Sequence, residues 1–295
     1  MPALRESEIT MNEPIPQPAP EESEEQRLKI YFLPNLLTAG NLFCGFVALT
    51  KIVDADLTPD PITGAVNWVP IKLALAFILL ACIFDLFDGR VARMGGVESP
   101  FGREFDSLAD LVSFGVAPAF LVQRVVLADV FGPHRQISWF IASIYLLCGA
   151  FRLARFNVLA ALHLPGAGKD FLGFPIPSAA GLVASLTLLI IHFNEKEKSL
   201  GAWNYFIAVV LLFLSAMMVS RVRYPSFKSL GLRSTSTFTK MILAALFIGA
   251  LLVLRDRILY YVLPAFFTLY LVYGFVRPSL SRAWRREIEE DDEEG

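Results

Sequence analysis

Apolar runs close to twenty residues long recur along nearly the whole chain, each long enough for a helix to cross the hydrocarbon core of a bilayer. The runs lie at about 35–53, 69–88, 105–127, 137–159, 174–193, 202–220, 241–254 and 259–276. A soluble domain of 295 residues is less apolar than this one, which is 55% hydrophobic. The fold class expected is therefore all-α: a polytopic membrane helical bundle of about eight transmembrane helices. Residues 27–33, RLKIYFL, mix basic and large apolar side chains ahead of Pro34 and predict an N-terminal interfacial helix.

The flanks carry other signals. Residues 1–26 are rich in Pro and Glu with no apolar core and predict a disordered tail rather than a cleavable leader. Residues 279–295 end in EIEEDDEEG and read as a solvated charged tail, leaving 27–278 as one membrane domain. Cys44, Cys82 and Cys148 sit inside apolar runs without metal spacing and are expected to stay reduced. The net charge of −2 hides a segregation of charge along the chain. Arg90, Arg93, Arg103, Lys169, Arg221, Arg223, Lys228, Arg233 and Lys240 fall in the connections after the second, fourth and sixth runs. The connection at 54–67 has no Lys or Arg. The positive-inside rule then puts both termini and the even-numbered connections on the cytoplasmic side.

One stretch at that side carries chemistry. Residues 85–110 read DLFDGRVARMGGVESPFGREFDSLAD. Asp85 and Asp88 are three apart, Asp106 and Asp110 four apart, and either spacing puts a pair on one helix face. The intervening MGGVESPFG predicts a turn, so two helices would bring four carboxylates together. Such a cluster at the edge of a low-dielectric medium requires cations. Oxygen donors without nearby His or Cys favour Mg²⁺, Mn²⁺ or Ca²⁺ over zinc.

The pattern D-x2-D-G-x2-A-R-x8-G-x3-D-x3-D resembles, without departure, the signature of the CDP-alcohol phosphotransferase family. The resemblance implies transfer of a phosphatidyl group from CDP-diacylglycerol to an alcohol, with release of CMP. It implies Asp85, Asp88, Asp106 and Asp110 at a site of one or two Mg²⁺ or Mn²⁺ ions, with Ca²⁺ as a substitute. Asp110 would also take the proton of the attacking hydroxyl. Gly89, Ala92, Arg93 and Gly102 would receive the CDP-diacylglycerol: a glycine lets a nucleotide approach the backbone, and an arginine can grip phosphate with a fork. Asn35, Thr38 and Asn41 add polar groups at the start of the first run; capping accounts for Asn35, and Asn35 and Thr38 are candidates for contacts to the lipid nucleotide.

Three further stretches bear on the alcohol. GAFRLARFN at 149–157 places Arg152 and Arg155 on one helix face with Asn157 nearby, GFPIPSAAG at 173–181 breaks the fifth run, and RVRYPSFK at 221–228 adds Arg221 and Arg223. Arginine at a membrane boundary needs a partner, and a carboxylate is one. With PNLLTAGNLFCG at 34–45, these stretches resemble the phosphatidylserine synthase branch of the family. That branch implies L-serine as acceptor, held by Arg152, Arg155, Asn157, Arg221 or Arg223, in a homodimeric protein of the cell (inner) membrane with no nucleic-acid partner. The same basic cluster suits glycerol 3-phosphate or inositol phosphate, and choline is another acceptor used by the family. A cation transporter is an alternative of another class, with its acids near the bilayer midplane.

Overall fold

The computed structural model describes residues 32–95, 99–161, 170–196, 203–225 and 259–276. The expected span at 241–254, residues 27–31 of the expected interfacial helix, and both tails lie outside them. Seven apolar helices run through the described residues: α1 (Phe32–Asp54), α2 (Val69–Gly95), α3 (Pro100–Val130), α4 (Arg135–Ala161), α5 (Ile176–Glu195), α6 (Trp203–Val219) and α7 (Leu259–Val276). The first five are each long and apolar enough to cross a membrane, and α6 and α7 have shorter apolar cores.

The outer face of the bundle is apolar, unlike that of a soluble protein. Phe43, Phe46, Trp139, Phe151, Val209 and Leu269 point outward, each more than half exposed. Thr38, Asn41, Ser113, Ser138, Ser185, Thr187 and Ser215 are buried inside. Small polar side chains let helices approach closely, and in lipid their hydroxyls must be satisfied within the protein. Ser185, Thr187 and Ser215 donate to carbonyls one turn back on their own helices.

Two helix ends depart from expectation. Phe32 and Leu33 belong to α1, because a proline in the first turn, Pro34, costs no backbone bond. Asn35 therefore lies inside the helix and is not its cap. The α2–α3 connection is also shorter than the sequence pattern suggests. Helix α2 continues past Asp88 to Gly95, and α3 starts at Pro100 rather than near Phe105. Ser99 supplies the reason: its hydroxyl accepts from the Gly102 amide at 3.0 Å, and Pro100 follows at the first helical position.

Helix α3 carries π-helical turns at Leu111–Val116 and Gln123–Leu127. The first begins right after Asp110 and brings Ser113 against α1. There a Cβ on Gly45 would meet the Ser113 hydroxyl, with Ser113 Cα only 2.8 Å away. One device lies outside the all-α description. β1 (Asp170–Leu172) pairs antiparallel with β2 (Arg223–Pro225), aligning Phe171 with Tyr224 and joining the segments before α5 and after α6.

Candidate active site

Asp85 and Asp88 share a face of α2, and Asp106 and Asp110 occupy successive turns of α3. One carboxylate oxygen each of Asp85, Asp88 and Asp106 lies within 4.8 Å of the others. Asp110, buried, stands within electrostatic reach of all three. Because both helices run past their carboxylates, the cluster sits on helix walls, about 10–15 Å from the tips at 1.5 Å per residue.

Helix α1 lays a polar edge along the cluster. The Thr38 hydroxyl donates to Asp88 Oδ2 at 3.0 Å, and Asn41 Nδ2 donates to Asp110 Oδ1 at 3.0 Å. Ser113 Oγ donates to the Asn41 carbonyl at 2.9 Å and ties α3 to α1 at the same level. Asn35 faces Gly102, whose ideal Cβ would lie 3.4 Å from Asn35 Oδ1. Four buried polar atoms around this region have no hydrogen-bond partner among the described residues: Asn35 Nδ2, Asn41 Oδ1, Asp106 Oδ1 and Arg152 Nε. Buried polar groups left unpaired cost about 1–3 kcal/mol each, so such atoms mark places where water, an ion or a ligand would be held.

A hard divalent cation fits these residues. The donors are all carboxylate oxygens, three converge, and an oxygen of Asp106 is buried without a partner.

On α4, Arg152 is 7% exposed and within electrostatic reach of Asp110 and Asp85. Arg155 is spent otherwise. Its Nη1 donates to the Val219 carbonyl at 2.8 Å, and its Nη2 to the carbonyls of Leu172 at 2.9 Å and of Met218 and Ser220 at 3.2 Å. It binds the end of α6 to β1. Gly173, at φ +81°, closes this joint, since a Cβ there would strike the Met218 carbonyl and lie 2.8 Å from Arg155 Nη2. Asn157 bonds Ser107 at 2.9 Å and Glu104 at 3.1 Å, joining α4 to α3. Arg221 is exposed just beyond α6, and Arg223 enters β2 through its backbone, its side chain lying outside the description. Gly89 follows Asp88 on α2, half-buried. Ala92 and Arg93 continue that helix, and their side chains lie outside the description.

Residues 31–219 match the CDP-alcohol phosphatidyltransferase family. The chain belongs to that family. Among curated relatives of this phosphatidyltransferase, the CDP-diacylglycerol–serine O-phosphatidyltransferase of Helicobacter pylori (strain ATCC 700392 / 26695) is 33% identical over 250 residues, 84% of this chain and 91% of the relative. An enzyme of that same name from Bacillus subtilis is 33% identical over 197 residues, 67% of this chain and 92% of its own. Archaetidylserine synthase of Methanothermobacter thermautotrophicus is 33% identical over 201 residues, 68% and 72% of the two chains.

Within the phosphatidyltransferase, the structure brings Asp85, Asp88, Asp106 and Asp110 together with Thr38 and puts Arg152 within charge range. It shows Arg155 and Asn157 as helix-to-helix ties. Ser113 went unnoticed in the sequence, and Asn41 was noted without a partner. A signal for Asn41 was there: two polar residues three apart, Thr38 and Asn41, on an apolar helix have to face partners on a neighbour.

Proposed function

We propose that this chain transfers the phosphatidyl group of CDP-diacylglycerol to the hydroxyl of L-serine, releasing CMP and forming phosphatidylserine. The observation that carries the reading is the convergence of Asp85, Asp88 and Asp106 with Asp110 beside them. The names of the curated relatives support serine as the acceptor.

Asp85, Asp88 and Asp106, with Asp110 adjoining, would hold Mg²⁺ or Mn²⁺. A divalent cation there supplies charge for the diphosphate as it cleaves. Thr38 and Asn41 hold Asp88 and Asp110 in place by donating to one oxygen of each. Gly89, Ala92, Arg93 and Gly102, with Asn35, would receive the lipid nucleotide. The serine oxygen attacks the phosphorus that carries the diacylglycerol ester. The P–O bond to the CMP phosphate breaks and its electron pair leaves with CMP, while the hydroxyl proton passes to Asp110. Arg152 is our choice for the serine carboxylate, because its buried guanidinium has an unpartnered Nε and lies within reach of Asp110. Arg155 would have to give up carbonyl bonds to do the same.

The distribution of Lys and Arg favours a site that opens to the cytoplasm in the cell membrane. Family resemblance favours a homodimer. CMP release by purified protein in detergent, with CDP-diacylglycerol and serine, glycerol 3-phosphate, inositol phosphate or choline in turn, each with and without EDTA, tests the reading. Serine-dependent release lost in EDTA supports it; release with another acceptor and none with serine overturns it.

A further inference from the structure

Asn41 has no surface exposure and holds two different neighbours. Its Nδ2–H is taken by Asp110 Oδ1 at 3.0 Å, and its main-chain carbonyl by Ser113. The amide thus turns its nitrogen toward Asp110. The amide oxygen is left buried, without a partner among the described residues. Within one carboxamide the oxygen and nitrogen are about 2.3 Å apart. Asn41 Oδ1 therefore lies no more than about 5.3 Å from the nearer Asp110 oxygen.

We propose that Asn41 Oδ1 receives the ammonium group of the acceptor, making the site selective for a 1,2-amino alcohol; this rests on the proposed transfer to serine. The nitrogen and hydroxyl oxygen of a 1,2-amino alcohol lie about 3–3.7 Å apart across staggered rotamers. Two donors at that spacing span the two acceptors: the ammonium meets Asn41 Oδ1 while the hydroxyl meets Asp110. The Asp110 carboxylate, in direct contact with the amide, supplies a counter-charge for the ammonium. Arg152, on α4, takes the opposite sign. Asn41 and Arg152 thus divide the two charges of an amino acid between α1 and α4. Glycerol 3-phosphate and inositol phosphate bring no ammonium, and a quaternary ammonium has no N–H to donate.

The test compares acceptors that each lack one group. Full-length protein in detergent micelles with CDP-diacylglycerol is given L-serine, 3-hydroxypropionate (serine without its ammonium) or ethanolamine (serine without its carboxylate). CMP release gives kcat/KM for each. Wild type should prefer serine to 3-hydroxypropionate by about 100-fold or more, as a site with a buried group awaiting a donor does. Asn41→Leu should cut that ratio at least tenfold, beyond any loss common to both acceptors, and should leave the serine-to-ethanolamine ratio within threefold. Asn41→Asp, which keeps an oxygen in place, should retain the preference even if turnover falls. Equal losses with both acceptors in Asn41→Leu would reduce Asn41 to a positioning residue and overturn the inference. A wild-type ratio below tenfold would overturn it without any variant. No release with serine in wild type would overturn the serine assignment itself; serine-dependent release with an unchanged ratio overturns the inference alone.

Discussion

Gly45→Ala is a one-carbon change at the crossing of α1 and α3. Its new Cβ would stand 2.8 Å from Ser113 Cα, with the Ser113 hydroxyl closer still. Ordinary carbon contacts lie at about 3.5–4.0 Å, so the helices must part by about 1 Å. The obstacle is backbone, which no rotamer change relieves. One turn away, the Asn41–Asp110 bond of 3.0 Å would stretch to about 4 Å, beyond hydrogen-bonding distance. Overpacking of this kind costs about 1–3 kcal/mol of stability. A 1 Å displacement of a reacting group costs about 100-fold in rate, or about 2.7 kcal/mol, so the catalytic loss is as large as the stability loss. CMP release with serine should therefore fall about 100-fold, while a fluorescence melt in detergent shows a folded protein with a lowered midpoint. Gly132→Ala is the control, because nothing lies within 4 Å of its Cβ. Activity of Gly45→Ala within threefold of wild type would refute the reasoning, for it would mean that the α1–α3 spacing does not set the geometry of Asp110.

Other perturbations separate the roles. Asp110→Asn keeps the shape and removes the proton acceptor, so turnover should drop by about 10²–10⁴-fold with the fold intact by size-exclusion chromatography. Asp106→Asn should weaken Mn²⁺ binding, read by electron paramagnetic resonance of the free ion, by at least tenfold, since it neutralises one of three converging carboxylates. Arg155→Lys should speed hydrogen exchange across 170–174 and 217–225, because a single ammonium cannot serve the carbonyls that the guanidinium joins. Lys72→Ala breaks the Lys72–Glu195 pair, half-exposed and some 20 Å along α2 from Asp85, and should leave turnover unchanged in the CMP assay.

Much of this protein was legible before any coordinates. Apolar length predicted the helices, and the fourth to seventh described here fall within about two residues of the expected limits. The acidic pairs were legible because spacing on a helix is geometry. What escaped was set by tertiary contact. Nothing in the residues after Asp110 announces a π-helical turn, yet that turn delivers Ser113 to the Asn41 carbonyl. Arg152 and Arg155 look equivalent on paper, three apart and equally basic. One keeps an unpaired Nε beside the cluster, and the other meets carbonyls 17 and more than 60 residues farther along the sequence. The helix ends at Gly95 and Pro100 were misjudged because a polar run after Asp88 resembles a loop, whereas Arg90, Val91, Ala92, Arg93 and Met94 are serviceable helix formers and Ser99 starts the next helix early.

That early start has a bearing on how a lipid is handled. With its acidic residues two to three turns in from the ends of α2 and α3, the protein presents them along helix walls, so a lipid diphosphate has to reach past the helix tips to meet them.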